Sequence, residues 1–280
     1  IIPFLKFSLP LLLGLLLLFY AFKNVPLDDF LSKLDQTRYG WVIGSMLLSV
    51  LAYVSRAYRW QLLLKAADQK VSTFRLTLAV FVGYLANLAF PRLGEVIRCA
   101  VLKKTNQIPV SLSIGTVVTE RIIDSLVLLF FLVVALFLEF DLIVTYFKNI
   151  FSTYNIPLNG ILYAVLISIM IFSVLVLVIS RTHTPVSRRI KKMALEVLKG
   201  ILTIKSIQKK YLFLITTMVM WLTYFLMSYM IFFALEETSS LSLTAGFMLL
   251  MSGGIALALP VQGGIGTYHA MIAMMLGLYG

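Results

Sequence analysis

Long apolar runs, recurring along the chain and separated by basic segments, most constrain what this sequence can fold into. An α-helix rises about 1.5 Å per residue, so roughly 20 apolar residues cross a hydrocarbon core about 30 Å thick. The runs Pro3–Phe22, Tyr39–Leu64, Ser111–Phe140, Gly160–Ser180 and Tyr211–Leu235 are each expected to span. Of the 280 residues, 60% are hydrophobic and 13% charged. A soluble domain is nearer 45–50% and about 25%. So few charges cannot coat a water-soluble surface of this size, and lipid is the remaining solvent. The expectation is an all-α polytopic membrane protein.

The first run is too long and apolar for a signal-peptide core, and no small-residue cleavage site follows it. The start Ile1-Ile2-Pro3 lacks an initiator Met, which reads as a trimmed terminus. The net charge of +12 does not indicate nucleic acid, because the bases lie between apolar runs. That is the positive-inside pattern, and it suits anionic lipid headgroups. Cys99 stands alone, which excludes a disulfide framework and a cysteine-rich metal site, and it reads as a small buried apolar residue. With two histidines (His183 and His269) and no Walker-type loop or nucleophile elbow, hydrolytic or metal catalysis has little to build on. No cofactor and no enzymatic activity are expected.

Charge placement fixes a topology and exposes an anomaly. The segment 181–210 holds nine Lys/Arg and one Glu. It reads as a basic amphipathic helix on the cytoplasmic face of a prokaryotic inner membrane. Counting back, 141–159 is an outer loop, and 92–110 and 56–75 are cytoplasmic, as is the N-terminus. The run Leu76–Phe90 then has both ends in the cytoplasm. Its 15 residues reach only about 22 Å as a helix, and Pro91 and Gly94 break it. It must dip into the membrane and return, and such backbone is tolerated only where it is buried or lines a cavity.

The break recurs. Leu88–Gly94 reads L-A-F-P-R-L-G and Leu257–Gly263 reads L-A-L-P-V-Q-G, four identities at an offset of 169 residues. The same shift lays the second long helix on the sixth. Three expected crossings separate the motifs, so the second enters from the opposite face. The pattern is an inverted-topology repeat with two re-entrant, Pro/Gly-broken segments, which points to a site near the midplane. The halves are 1–140, with the re-entrant motif at 76–95, and 141–280, with the motif at 242–267. By symmetry, at least one more spanning helix is expected beyond Gly280.

Ionisable residues inside spanning segments are site candidates by default. Asn87, Arg92, Glu95 and Arg98 adjoin the first break, and the three charges are spaced for one ion-pair ladder on a helix. Glu120 and Asp124, with Arg121 beside them, lie within the fourth long run and also suit a structural ion pair between helices. Gln262, Gly263, Gly264, Gly266, Thr267, Tyr268 and His269 follow the second break. Closely spaced glycines there expose N–H groups that cradle an anion if a helix starts after them; a packing role for His269 is equally open. Arg56, Arg59 and Trp60 read as an interfacial anchor set, with contact to a lipid phosphate as the sharper alternative.

Together the motifs R-x-x-R-W at Arg56–Trp60, N-L-A-F-P-R-L-G-E-V-I-R at Asn87–Arg98, T-E-R-I-I-D at Thr119–Asp124 and P-V-Q-G-G-I-G-T at Pro260–Thr267 resemble one family, in order and over most of the chain. It is the lysylphosphatidylglycerol synthase transmembrane-region family of flippase-like membrane proteins. In its best-known members this region is fused to a cytosolic aminoacyl-transferase domain and moves the aminoacylated phospholipid across the bilayer. These 280 residues leave no room for that domain, so the synthase activity is not carried over. Val261-Gln262 stand where the first motif has Arg92-Leu93, so only the first half offers an arginine beside its proline.

The leading expectation is a translocase for a phosphate-bearing, aminoacylated or glycosylated lipid. Arg92, Arg98 and Arg121 would hold the phosphate, while Glu95, Glu120 and Asp124 position them or bind a cationic headgroup. Two alternatives stand beside it: a non-transporting subunit that presents lipid to a cytosolic lipid-modifying enzyme, and an integral-membrane lipid transferase. A homo-oligomer is compatible with each.

Overall fold

A computed structural model describes residues 2–23, 25–90, 93–153, 207, 209–259 and 261–279, with a few isolated residues between 154 and 206. The fifth expected span at 160–180 and most of the basic segment 181–210 lie outside the described residues, as do Pro91, Arg92 and Pro260. The helices in chain order are α1 (Ile2–Phe22), α2 (Leu27–Gln36), α3 (Tyr39–Ala66), α4 (Thr73–Ala89) and α5 (Gly94–Asn106). They continue with α6 (Val110–Leu138), α7 (Phe140–Thr153), α8 (Lys210–Phe232), α9 (Leu243–Ala258) and α10 (Thr267–Leu276). No strand occurs among the described residues.

Helices α3, α6 and α8 are each long and apolar enough to cross a membrane, and α1 with α2, bent by 84°, is a fourth candidate. Their outward faces carry large apolar side chains that no protein covers, such as Phe137 at 78% exposure and Met218 at 68%. A soluble monomer does not leave apolar surface on this scale in water. The molecule is an integral membrane protein of helices, as the composition requires.

Helix α3 packs antiparallel to α8 along nearly its whole length. At one end the Arg38 N–H donates to the Ala234 carbonyl, and the Trp41 and Phe233 rings meet at 5.0 Å. Midway the Ser45 hydroxyl donates to the Met227 carbonyl at 3.0 Å. Near the other end the Arg59 guanidinium lies over the Phe213 ring. These are the two helices that the offset of 169 residues superimposes.

Helices also form between the long runs, one of them where a loop was expected at 141–159. Within 23–38, Pro26 precedes α2, and Asp28 and Asp29 occupy its first turn, where carboxylates favour the helix dipole. Within 141–159, Asp141 plays the same part in α7. Local end chemistry, which a reading by hydropathy passes over, makes both helices.

The first short helix is part of a hairpin. Ser72 caps α4, its hydroxyl accepting the Arg75 N–H. Phe90 is extended (φ −136°, ψ 121°), as expected of a residue before proline. Helix α5 then runs back along α4, so the return limb is helical where a cytoplasmic loop was expected at 92–110. Leu76, Ala79 and Val80 of α4 share a core with Cys99 and Leu102 of α5 and Trp60 of α3. Gly83 and Gly94 set the spacing: a Cβ on Gly94 would overlap the Gly83 carbonyl oxygen.

A second hairpin follows the same plan. Ser242 caps α9, its hydroxyl accepting the Ala245 N–H at 3.1 Å, and Leu259 before Pro260 is again extended. The chain turns through Gly263, Gly264 and Gly266, with φ of 57°, 74° and 80°, conformations open chiefly to glycine. Helix α10 then packs back on α9, with Gly253 against the Tyr268 ring.

Candidate functional site at the first helix break

Three helices carry the charges to one place. On α3, Arg56 and Arg59 are three apart and share a face; on α6, Glu120 and Asp124 are four apart and do the same. Arg98 and Glu95 come from α5. Glu120 lies ten residues from the start of α6 and Arg56 ten from the end of α3, each about 15 Å inside its helix. The network therefore sits several turns inside both helices and not at their ends.

Glu120 is the hub. It is fully buried, and its Oε2 accepts a hydrogen bond from Arg98 Nη2 at 3.1 Å. Its Oε1 lies 3.5 Å from Arg59, 3.6 Å from Arg56 and 3.9 Å from Arg121. Asp124 accepts from Arg59 Nη1 at 2.6 Å and lies 3.5 Å from Arg56. Arg121 and Glu95 pair at 2.6 Å at the rim, where their side chains are 41% and 38% exposed. Aromatic faces complete the packing: Arg98 lies 4.6 Å from the Trp60 ring centroid, and Arg56 5.9 Å from that of Tyr84. Trp60 is fixed in turn by its indole N–H, which donates to the Thr116 hydroxyl at 2.9 Å.

Ions this deep forfeit several kcal/mol of hydration each, and only close pairing offsets the loss. Arg59, Arg98 and Arg121 each have a carboxylate oxygen at 2.6–3.1 Å, although Arg59 keeps an unmatched Nε and Nη2; Arg56 has none so close. Its carboxylate neighbours stand at 3.5 and 3.6 Å, and its Nε has no hydrogen-bond partner, although the side chain is only 9% exposed. Arg98 Nε is likewise without a partner. Both arginines line a cleft of about 250 Å³, mouth included, walled also by Val80, Gly83, Tyr84, Asn87, Gly94, Glu95 and Arg121. The start of α5 opens into this cleft. The Gly94 N–H donates to Asn87 Oδ1 at 2.7 Å, so a side chain from α4 caps α5 across the break.

Several expectations change here. Among the described residues, the ladder rung between Glu95 and Arg98 does not form: Glu95 pairs with Arg121 and Arg98 with Glu120, both on α6. Arg92, the ladder's third member, lies outside the described residues. Arg56, Arg59 and Trp60 are not an interfacial anchor; their exposures are 7%, 0% and 0%, because the basic face of α3 turns inward to the carboxylates of α6. The signal was available, since arginines within a membrane helix normally face the protein interior. Tyr84 was not singled out from the sequence, and only the packing of α4 on α3 brings it to the cleft.

His269 and Tyr268 of the second group pack away from the network. Gln262 is buried, and helix α10 does begin after the glycines. His269 packs 6.0 Å from the Phe22 ring on α1, and Tyr268 packs against Gly253. The Gly266 backbone touches Gly14 of α1, leaving no room for a side chain. The two breaks nonetheless meet, for the α4 end packs on the 262–264 turn, and a Cβ on Gly263 would stand 3.2 Å from Leu88.

A UPF0104 membrane protein of Methanocaldococcus jannaschii is 30% identical over 146 residues, covering 51% of this chain and 43% of that protein. The match thus spans less than half of the relative's length. No solved structure matches the chain. The model of the lysylphosphatidylglycerol synthase TM region matches residues 7–280, and the chain belongs to that family.

Proposed function

We propose that this protein is a lipid translocase of a prokaryotic cytoplasmic membrane, a transporter and not an enzyme, which moves a phosphate-bearing lipid between leaflets. One observation carries the reading: a cleft at a helix break inside the membrane is walled by two buried arginines with unmatched N–H groups. Intramembrane charge is expensive and persists mainly where it serves a pathway. A guanidinium presents a planar fork that fits phosphate oxygens. The headgroup enters past the rim pair Glu95–Arg121, its phosphate meets Arg56 and Arg98, and the tails stay in the bilayer.

The antiparallel pairing of α3 and α8 supports an inverted relation between the halves, and the contact of Leu88 with Gly263 supports two breaks that share one pathway. On this reading the second break serves the opposite leaflet. The basic stretches 56–75, 92–110 and 181–210 and the N-terminus face the cytoplasm. A cytosolic lipid-modifying enzyme is the partner class that suits the basic face.

The test is translocation of a fluorescent phosphatidylglycerol in proteoliposomes. Arg121→Gln is the first variant, because its half-exposed side chain can be changed without stranding a buried ion. Arg56→Gln and Arg92→Ala follow. Transport slowed on the order of tenfold is expected, through loss of the entry pair in Arg121→Gln and of a phosphate contact in the other two. Wild-type rates in all three variants would sink the proposal.

A further inference from the structure

We infer that the cleft selects a headgroup phosphate bearing a single negative charge, a phosphodiester, over phosphomonoesters and diphosphates. This rests on the translocase reading of the cleft. Among the described residues the network holds four cations (Arg56, Arg59, Arg98 and Arg121) and three anions (Glu95, Glu120 and Asp124), which leaves one positive charge uncompensated.

The geometry says which cation is in excess. Arg59 is bonded to Asp124, Arg98 to Glu120, and Arg121 is paired with Glu95. Arg56 has no hydrogen-bonded carboxylate, standing 3.6 Å from Glu120 and 3.5 Å from Asp124, and it forms a wall of the cleft. A phosphodiester offers two free oxygens sharing one charge, which suits one fork. A phosphomonoester carries about −1.5 to −2 near neutral pH, with a second pKa near 6. Its extra charge has no counterion in a site where charges interact strongly. Only Glu95–Arg121, with both side chains partly exposed, can part without stranding a buried ion. Removing the Glu95 charge would free Arg121 as a second cation, and the selectivity should then move toward the dianion.

The experiment measures binding of dihexanoyl phosphatidylglycerol and dihexanoyl phosphatidic acid to the purified chain in detergent at pH 8, where the monoester is a dianion. Wild type is expected to bind the diester more tightly, on the order of tenfold. Glu95→Gln, at the rim, should abolish or reverse that ratio, and Arg56→Gln should weaken the diester. Equal or tighter binding of phosphatidic acid by wild type would overturn the inference, whether the added cation is Arg92 or another group. So would an unchanged ratio in Glu95→Gln. Binding of neither lipid, or affinities indifferent to Arg56, would overturn the reading of the cleft itself.

Discussion

The two helix breaks share a backbone and differ in chemistry. Each short helix begins at a serine cap, Ser72 or Ser242, and ends in an extended residue before proline, Phe90 or Leu259. In each, glycine brings the return limb close, Gly94 against Gly83 and Gly253 against Tyr268. At the offset of 169 residues, however, Glu95 becomes Gly264, Arg98 becomes Thr267 and Asn87 becomes Ala256. Arg56 and Trp60 of α3 become Phe225 and Tyr229 of α8, which stack with ring planes 8° apart. The bond that ties each hairpin runs from the return limb to the short helix in both, but the side chain in it comes from the short helix in the first and from the return limb in the second. In the first, Asn87 accepts from the return limb; in the second, the Thr267 hydroxyl donates to the Ala256 carbonyl at 3.4 Å. A broken hairpin is thus a frame that holds either an ion network with a cleft or a packed, glycine-rich turn without ionised groups among its described residues. On the proposed function, headgroup chemistry belongs to the first.

Substitutions can break or sharpen that contrast. The largest effect is expected from Glu120→Gln, which leaves three buried arginines without their shared carboxylate, a loss of about 3–5 kcal/mol. Thermal unfolding in detergent should show a protein near its limit, and a small shift would mean that water already solvates the network. Next come Gly94→Ala and Gly266→Ala. Each puts a methyl into a neighbouring backbone, so each should lose about 1–3 kcal/mol. A loss at Gly94 alone would mean that the second break does not depend on its close approach to Gly14 of α1. Asn87→Ala and Thr267→Val each remove one tie and should lose about 1 kcal/mol, but only Asn87→Ala should slow transport. The smallest effect is expected at the exposed pair of Lys33 with Glu237: Lys33→Ala should change stability by less than about 0.5 kcal/mol.

Hydropathy and charge placement were enough to read the spans, since α3, α6 and α8 begin and end within three residues of the apolar runs Tyr39–Leu64, Ser111–Phe140 and Tyr211–Leu235. The proline–glycine motif marked both breaks for the same reason: X-Pro ends a helix from local sterics. Pairing was not legible. Glu95 stands between Arg92 and Arg98 in sequence, yet its partner is Arg121, on a helix whose facing side is set by packing. Arg56 and Arg59 sit near a helix end, where bases usually anchor at the interface, and only the carboxylates of α6 draw them inward. Helix α2 is polar enough to pass for a loop and the 14 residues of α7 are too few to read as a span, and their end residues reveal them only when read position by position.

The most direct measurement maps where a headgroup sits. A phosphatidylglycerol carrying a photoreactive group on its glycerol headgroup would be crosslinked to the protein in bilayers, and the adducts located by mass spectrometry. Adducts on the peptides holding Tyr84–Arg98 and Arg121, lost in Arg56→Gln, are the predicted result. Adducts confined to 261–279, or spread over the lipid-facing side of α6 around Phe137, would contradict a headgroup site at the first break.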